Sequence, residues 1–207
     1  INIHGNIFST TCNTIVNTVN CEGVMGAGIA YECKLRFEGL FDAYKQHCNN
    51  GTIEVGNLFL FTPATPSILC FPTKNYWRGD SKIEYIELGL KKFVSTYKEK
   101  NITSIALPHL GCSHGGLDWI SQVEPLVVRY LQPLHELRVE IYSFDPNAPD
   151  PLYEELVNRC KYMSVSEISK KLGVNKPTAE KLMQHFEIKD QNNLFWVQKI
   201  KGVGETA

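Results

Sequence analysis

The sequence predicts an α/β fold, a three-layer α/β/α domain with a mixed, largely parallel central sheet, followed by a small helix-turn-helix unit. Short β-branched or aromatic runs alternate with segments of helical periodicity over the first 150 residues. This alternation predicts a sheet covered by helices on both faces. Two glycine-rich stretches each follow a strand-like run, and ligands of open α/β sheets bind beyond the carboxyl ends of strands. The glycine stretches therefore predict where the ligand binds.

Six strand-like runs are short and bounded by Gly, Pro or Asn. They are residues 1–3, 15–18, 57–62, 68–71, 104–107 and 139–144. Three apolar stripes with helical spacing lie between the runs, and they cover residues 29–44, 83–97 and 119–130. Proline lacks the N–H that a helix interior needs, so Pro125 is expected to shift the start of the third helix or to kink it.

A proline-rich run at residues 145–151 predicts the end of the first domain, because three prolines in seven residues stop regular structure. We expect a domain over residues 1–150, a linker helix over 151–163 and a C-terminal module over 164–207. The module fits a helix-turn-helix that turns at Gly173, with residues 194–197 as the strand of a wing. A small helical interaction module with the same packing is the alternative. The positions expected to pack its two helices are Ile168, Leu172, Val174, Ala179 and Leu182.

The composition excludes several classes of protein. A net charge of −1 over 207 residues argues against a protein that coats nucleic acid, although residues 161–207 carry eight Lys against five Asp and Glu. Seven cysteines without a Cys-x-x-Cys pair favour reduced thiols in a cytosolic protein. We expect no membrane segment, metal site or cofactor. The first residue is Ile1, and we expect the natural chain to continue beyond Ala207.

The two glycine loops predict a binding site for a diphosphate. The first loop covers residues 17–28 and the second covers residues 110–117. Glycine permits positive φ and close approach of a ligand to backbone N–H groups, and such amides at a loop-to-helix junction bind anions. Neither loop is a Walker motif or a GxGxxG motif, so a nucleotide diphosphate outside these two common classes is expected.

Lys74 is the candidate catalytic residue, in the run Phe71-Pro-Thr-Lys-Asn-Tyr-Trp-Arg78. A free lysine has a pKa of about 10.4. Burial against Trp77 would lower that pKa and produce a nucleophile or a proton carrier, whereas the cation would stabilise a departing oxyanion. A helix capped at Asp80 and Ser81 is expected to follow.

Together these motifs resemble the macrodomain family of ADP-ribose-binding proteins. More narrowly, three of them resemble its DarG-like branch: residues 17–28, the Phe-Pro-Thr-Lys-x-x-Trp-Arg run, and the second loop continued to Trp119. That branch comprises bacterial antitoxins that remove ADP-ribose from DNA bases modified by a DarT toxin. The resemblance implies the macrodomain fold, ADP-ribose as ligand, hydrolysis of the N-glycosidic bond to a base in single-stranded DNA, and a DarT-like toxin as partner.

The resemblance also implies which residues bind ADP-ribose, with Lys74 as the catalytic lysine. Residues 23–28 would wrap the distal ribose and a phosphate, residues 113–117 would close over the diphosphate, and two asparagines would hold the loop or the ribose. Phe144 would stack on the adenine. The implied ligand-binding residues are Asn6, Ile7, Asn17, Asn20, Gly23, Val24, Met25, Gly26, Ala27, Gly28, Leu110, Gly111, Cys112, Ser113, His114, Gly115, Gly116, Leu117 and Phe144.

The chain departs from the family pattern at two positions. Many macrodomains carry an aspartate where this chain has Asn6. The related human glycohydrolases use an aspartate in the second loop, and ungapped alignment puts Gly115 at that position. Asp118 is displaced from it by three residues, so Lys74 is expected to act without a lysine–aspartate dyad.

Several alternatives remain open from the sequence. Lys74 acts either as a covalent nucleophile or electrostatically, and His114 either protonates the leaving base or faces solvent or a phosphate. The base from which ADP-ribose is removed belongs either to a thymidine or to a guanosine. The chain is alternatively a reader that binds ADP-ribose without turnover, or a hydrolase of protein-linked ADP-ribose. The C-terminal module contacts either DNA or the toxin.

Overall fold

The computed structural model of the protein describes residues 1–188, 191–200 and 203, so residues 189–190, 201–202 and 204–207 of the expected C-terminal module lie outside the described part. The strands are β1 Asn2–Gly5, β2 Thr14–Val19, β3 Phe59–Phe61, β4 Ser67–Pro72, β5 Ser104–Pro108 and β6 Arg138–Phe144. The α-helices are α1 Gly28–Arg36, α2 Leu40–Asn49, α3 Ile83–Thr96, α4 Glu124–Leu131, α5 Pro151–Cys160, α6 Val165–Leu172, α7 Lys176–Phe186 and α8 Leu194–Val197. Ile7–Ser9 and Ser113–Gly115 form 3-10 turns, and Trp119–Val123 forms a π-helical turn.

The six strands form one sheet in the order β1-β6-β5-β2-β4-β3, with helices on both sides. Strand β2 runs parallel to β4 and β5, and β5 runs parallel to β6. The short strand β3 is antiparallel to β4. The prediction of a mixed, largely parallel sheet in an α/β/α fold is therefore confirmed.

Two of the three expected helices differ in detail from the apolar stripes that predicted them. The first stripe is divided between α1 and α2, because Gly39 adopts a left-handed φ of 77° that no helix continues through. The third begins with the π-helical turn, and Pro125 lies in the first turn of α4. The expected shift at this proline is thus observed, since a proline is tolerated where a helix begins.

The core forms where α3 and α4 pack on the sheet. Ile86, Leu90 and Phe93 of α3 are at most 2% exposed, and they pack with Phe71 at the end of β4. A Cβ atom added at Gly89 would lie 2.1 Å from Cζ of Phe71. This glycine therefore lets α3 approach the end of β4, the strand that leads into Lys74.

The chain divides into two compact units, Ile1–Ile3 with Thr11–Ser143 and His4–Thr10 with Phe144–Ala207. The expected boundaries at residues 150 and 163 remain predictions. In the second unit, α6 ends at Gly173 in a left-handed conformation and α7 begins after Asn175, which accepts a hydrogen bond from the N–H of Thr178. Of the five expected packing positions, Leu172 is half-buried and the rest are buried. Whether this helix pair binds DNA remains a prediction.

The expected wing strand at residues 194–197 is wrong, because these residues form the short helix α8. Asn193 accepts a hydrogen bond from the N–H of Phe195 and so caps the helix. The same asparagine donates to the carbonyl oxygen of Ala148, and the indole of Trp196 donates to that of Pro146. These bonds hold the segment in a turn, which overrides the strand propensity of its aromatic and β-branched residues.

None of the described helices combines the length and the apolar character that crossing a bilayer requires.

Candidate active site

The predicted site elements meet at one edge of the sheet in the first unit. Strands β5, β2 and β4 are neighbours and run parallel, so their carboxyl ends lie side by side. The first glycine loop follows β2, Lys74 follows β4 and the second glycine loop follows β5. The N–H of Thr73 donates to the carbonyl of Val19 at 2.9 Å, and that of Cys21 donates to Asn75 at 3.1 Å, so the segments leaving β2 and β4 stay paired beyond the strands.

The first loop is organised around the side chain of Asn20. Its Oδ1 accepts the N–H groups of Glu22 at 2.9 Å and Val24 at 3.3 Å, and its Nδ2 donates to the carbonyl of Val24 at 2.6 Å. The hydroxyl of Tyr44, which is fully buried in α2, donates to the carbonyl oxygen of Asn20 at 2.7 Å. Gly23 has a φ of 78°, which favours glycine. Asn20 therefore holds the loop geometry, one of the two roles expected for it.

The first loop leaves backbone donors unpaired where it enters α1. The N–H groups of Gly26, Ala27 and Gly28 make no hydrogen bond to any described residue, and no side chain caps this helix. All three residues are exposed, whereas Met25 is buried beneath them. Unpaired N–H groups at the start of a helix attract anions, so this junction is suited to a phosphate.

The second loop is a tight turn built on three positive φ values. Gly111 has a φ of 68°, Ser113 of 54° and Gly116 of 78°. The N–H of Gly116 donates to Ser113 and that of Leu117 donates to Gly111, which closes the turn. The N–H groups of Ser113 and His114 have no acceptor among the described residues. The second loop thus also presents free amides.

The two loops approach each other closely. A Cβ atom added at Gly28 would lie 3.7 Å from Cδ2 of His114. His114 and Gly116 are exposed, Gly115 and Leu110 are buried, and Cys112 and Leu117 are partly buried. Two sets of unpaired N–H groups therefore lie on loops that meet at one edge of the sheet, an arrangement that can bind both phosphates of a diphosphate.

Lys74 lies where these loops meet, and it touches both of them. Its Nζ donates a hydrogen bond to the carbonyl oxygen of His114 in the second loop. Its own carbonyl accepts a hydrogen bond from the Sγ of Cys21, in the first loop, at 3.4 Å. The side chain is partly buried. The structure therefore brings the expected catalytic amine next to the amide-lined loops.

Among the described residues, no carboxylate pairs with Lys74 in place of the missing aspartate. A Cβ atom at Gly115 would lie 2.4 Å from the Oγ of Ser81 and 3.8 Å from the Cε of Lys74, so an aspartate does not fit there without displacing Ser81. Asp118 instead accepts the N–H and the hydroxyl of Ser121, at 2.8 and 2.6 Å, at the start of the π-helical turn. The hydroxyl hydrogen bond from Ser121 contributes most to lowering the pKa of Asp118.

One expectation about the run after Lys74 is wrong and another stays a prediction. The ring of Trp77 is 47% exposed and lies 4.4 Å from the guanidinium carbon of Arg78, so burial of Lys74 against this ring remains a prediction. The expected cap at Asp80 and Ser81 is absent, because α3 begins at Ile83 and Lys82 precedes it without a side-chain cap. Ser81 is buried and its N–H donates to the carbonyl of Gly115 at 2.9 Å, so it supports the second loop instead.

The remaining expected site residues lie deeper or in the second unit. Asn17 is fully buried in β2, opposite Cys70, and its side-chain amide has no hydrogen-bond partner among the described residues. In the second unit, Asn6 accepts the N–H of Phe8 and donates to the carbonyl of Pro149, and Ile7 beside it is buried. Phe144 is 55% exposed. The ligand contacts expected for these residues remain predictions.

The thiols beside the loops are poor nucleophiles. Burial raises the pKa of both Cys21 and Cys112 to about 11, which keeps them protonated near neutral pH. Residues 1–188, 191–200 and 203 hold no cluster of His, Cys, Asp and Glu suited to a metal ion. Lys74 remains the predicted catalytic residue of the site.

Sequence reasoning missed three residues that position the site. Tyr44 anchors Asn20, Ser81 supports the second loop, and the carboxylate of Glu22 accepts the N–H of Trp77 at 2.8 Å. Tyr44 carried a signal, since a tyrosine in an apolar helical stripe needs a partner for its hydroxyl. Glu22 and Trp77 are 55 positions apart, and nothing in the sequence pairs them.

Known proteins resemble this chain over the same region. A family model described as "Macro domain" matches residues 16–124. The DNA ADP-ribosyl glycohydrolase of Mycobacterium tuberculosis is 39% identical over 142 residues, which are 67% of this chain and 40% of the relative. The chain thus spans about 40% of the length of the curated relatives it matches.

Two solved structures resemble the fold. The macrodomain of Mycobacterium tuberculosis DarG has a TM-score of 0.64 at 38% identity. The match covers 69% of this chain and 97% of the DarG macrodomain. The structure titled Thermosipho africanus DarTG in complex with ADP-ribose has a TM-score of 0.65 at 33% identity, and the match covers 74% of this chain and 43% of the DarTG chain. With its sheet order, its paired glycine loops and these matches, the chain belongs to the macrodomain family.

Proposed function

We propose that this chain is a hydrolase that removes ADP-ribose from nucleobases in single-stranded DNA. The observation that carries the proposal is the amine of Lys74, which lies between two loops that present unpaired N–H groups. The proposal is supported by the similarity to proteins named DNA ADP-ribosyl glycohydrolase and to a DarTG structure with ADP-ribose. A reader that only binds ADP-ribose needs the loops but has no use for an amine at this point.

The proposed reaction is hydrolysis of the bond between the distal ribose and the base. The amides of the two loops hold the diphosphate, which leaves C1″ of the distal ribose near Lys74. The bond between C1″ and the base nitrogen breaks, a water oxygen becomes bonded to C1″, and the base leaves with a proton from that water. Lys74 contributes in one of two ways. Either its neutral amine displaces the base from C1″ and water then displaces the amine, or the cation stabilises the negative charge that develops on the leaving base.

The same proposal extends to the biology of the chain. Removal of ADP-ribose restores unmodified DNA, so the protein acts as an antitoxin against a DarT-like DNA ADP-ribosyltransferase in a bacterial cytoplasm. The resemblance to DarG supports this part of the proposal. The helices α6 and α7 contact either the DNA or the toxin, and the surplus of positive charge in residues 161–207 suits the former.

The test incubates the protein with ADP-ribosylated single-stranded oligonucleotides and follows the loss of the modification. The wild-type chain is expected to release ADP-ribose from a modified thymine or a modified guanine, and the two substrates identify the base. The rate of ADP-ribose release is expected to fall at least a hundredfold in Lys74→Ala. Calorimetry is expected to show that this variant still binds ADP-ribose. Lys92→Ala removes an exposed lysine on α3 and is expected to behave as wild type.

Each other outcome selects a different function. Binding of ADP-ribose without release from any substrate identifies a reader. Release from modified glutamate but not from DNA identifies a hydrolase of protein-linked ADP-ribose. A Lys74→Ala variant that works at the full rate contradicts the assignment of the lysine.

A further inference from the structure

The segment just after Lys74 exposes two aromatic side chains. Tyr76 is 68% exposed and Trp77 is 47% exposed, and no other Phe, Tyr or Trp between residues 11 and 143, all of which are described, is as exposed. Large aromatic rings contribute most to stability when they are buried. An exposed pair in an otherwise well-packed unit therefore marks a surface that binds something.

This segment is held in a fixed shape. The N–H of Trp77 donates to the Oε2 of Glu22 at 2.8 Å, and the N–H of Gly79 donates to the carbonyl of Tyr76 at 3.0 Å. The side chain of Asn75 donates to the hydroxyl of Tyr85 at 3.2 Å. The backbone that carries the two rings is thus tied to the first glycine loop and to α3.

Arg78 adds a positive charge to the same surface. Its guanidinium carbon lies 4.4 Å from the centroid of the Trp77 ring, in a cation–π arrangement. No carboxylate among the described residues pairs with it. A guanidinium that stacks on a ring by its face keeps its N–H groups available as hydrogen-bond donors. These donors can bind the oxygens of a phosphate.

We propose that Tyr76, Trp77 and Arg78 form a subsite for the single-stranded DNA next to the modified base. The inference rests on the proposed function, because the strand continues from the base that is bonded to C1″ near Lys74. A neighbouring base stacks on the exposed rings, and its phosphate contacts Arg78. Stacking on aromatic rings together with a basic side chain is how proteins bind single strands without reading their sequence.

The first experiment compares a long substrate with a short one. The ratio of kcat/KM for an ADP-ribosylated decanucleotide to that for the ADP-ribosylated nucleoside is measured in each variant. Trp77→Ala is expected to lower this ratio about tenfold, as loss of one base stack implies. Arg129→Ala also removes an arginine stacked on an aromatic ring, that of Tyr130 on α4, and is expected to keep the wild-type ratio. An unchanged ratio in Trp77→Ala overturns the subsite.

The second experiment separates failure of the subsite from failure of the proposed function. It measures binding of an unmodified, labelled decanucleotide by fluorescence anisotropy at several salt concentrations, so it needs no turnover. Arg78→Ala is expected to weaken binding and to reduce the slope of log affinity against log salt by about 0.7, the contribution of one phosphate contact in a single strand. Trp77→Phe is expected to bind better than Trp77→Ala.

In this binding experiment, either of two results contradicts the subsite. One is equal affinity and equal salt slope in wild type, Trp77→Ala and Arg78→Ala, and the other is equal loss in Arg78→Ala and Arg129→Ala. If the wild type releases ADP-ribose from no DNA substrate but these binding differences appear, the proposed function fails, whereas Tyr76, Trp77 and Arg78 still bind single-stranded DNA.

Discussion

The two glycine loops meet at one edge of the sheet, yet different interactions hold them. The first loop is held from inside by one side chain, since Asn20 bonds three backbone groups of its own loop. The second loop closes its own backbone turn, and side chains and backbone from the segment after β4 also hold it from outside, through Ser81 and Lys74. The side-chain support of the first loop is therefore centred on one residue of the loop itself, whereas that of the second depends on the fit between distant segments.

The largest effect is expected for Asn20→Ala, which removes the network of the first loop. The variant leaves the carbonyl of Val24 and the N–H of Glu22 without these partners, and we expect it to lower the free energy of unfolding by about 3 kcal/mol. Affinity for ADP-ribose should fall with it. Urea denaturation and calorimetry measure the two effects.

A matched control is Asn57→Ala. This asparagine makes one exposed hydrogen bond, to Glu54, and its loss is expected to change stability by less than about 0.5 kcal/mol. If both variants lose the same stability, the first loop is not held by Asn20.

A smaller effect is expected for Gly115→Ala, which tests the fit of the second loop. Its Cβ would lie 2.4 Å from the Oγ and 3.0 Å from the Cβ of Ser81, so we expect overpacking to cost about 2 kcal/mol. Ser81→Gly removes both atoms, and the double variant should recover most of the lost stability and of the affinity for ADP-ribose. Urea denaturation of the single and double variants checks this. A double variant as unstable as the single one shows that the contact with Ser81 does not support the loop.

The contrast between the loops also explains what the sequence could predict. The strands, the glycine loops and Lys74 follow from local patterns, and the observed strand β4 extends the expected one by a single residue at each end. The support of the first loop is nearly local, because Asn20 lies within its motif. The support of the second loop is not, since Ser81 and Gly115 touch only when the fold brings them together. The strand predicted at residues 194–197 is wrong for the same reason, because contacts with residues 146–150 determine their conformation.

Tyr44→Phe is expected to have a still smaller effect on the first loop. It removes the hydroxyl that donates to the carbonyl oxygen and to the Oδ1 of Asn20, and it leaves the asparagine side chain in place. Loss of this buried hydrogen bond should lower the free energy of unfolding by about 1 kcal/mol. Chemical denaturation measures it, and Tyr162→Phe, at a residue that is 90% exposed, is the control. A loss as large as that of Asn20→Ala would mean that Tyr44, rather than Asn20, holds the loop.

The smallest effect is expected for Ser113→Gly in the second loop. Ser113 has a φ of 54°, and the left-handed conformation costs an L-residue about 1 kcal/mol, which glycine avoids. Glycine also loses about 0.5–1 kcal/mol more conformational entropy on folding, so the two terms nearly cancel. Urea denaturation should therefore find a change below about 0.5 kcal/mol.

Ser113→Val completes this test, because a β-branched residue is strongly disfavoured at positive φ. We expect it to destabilise the protein by about 1–2 kcal/mol and to weaken ADP-ribose binding, since its N–H belongs to the unpaired donors of the second loop. A valine variant as stable as the wild type, with the same affinity, would show that the turn relaxes to negative φ at no cost. The second loop would then be a flexible cover rather than a fixed wall of the site.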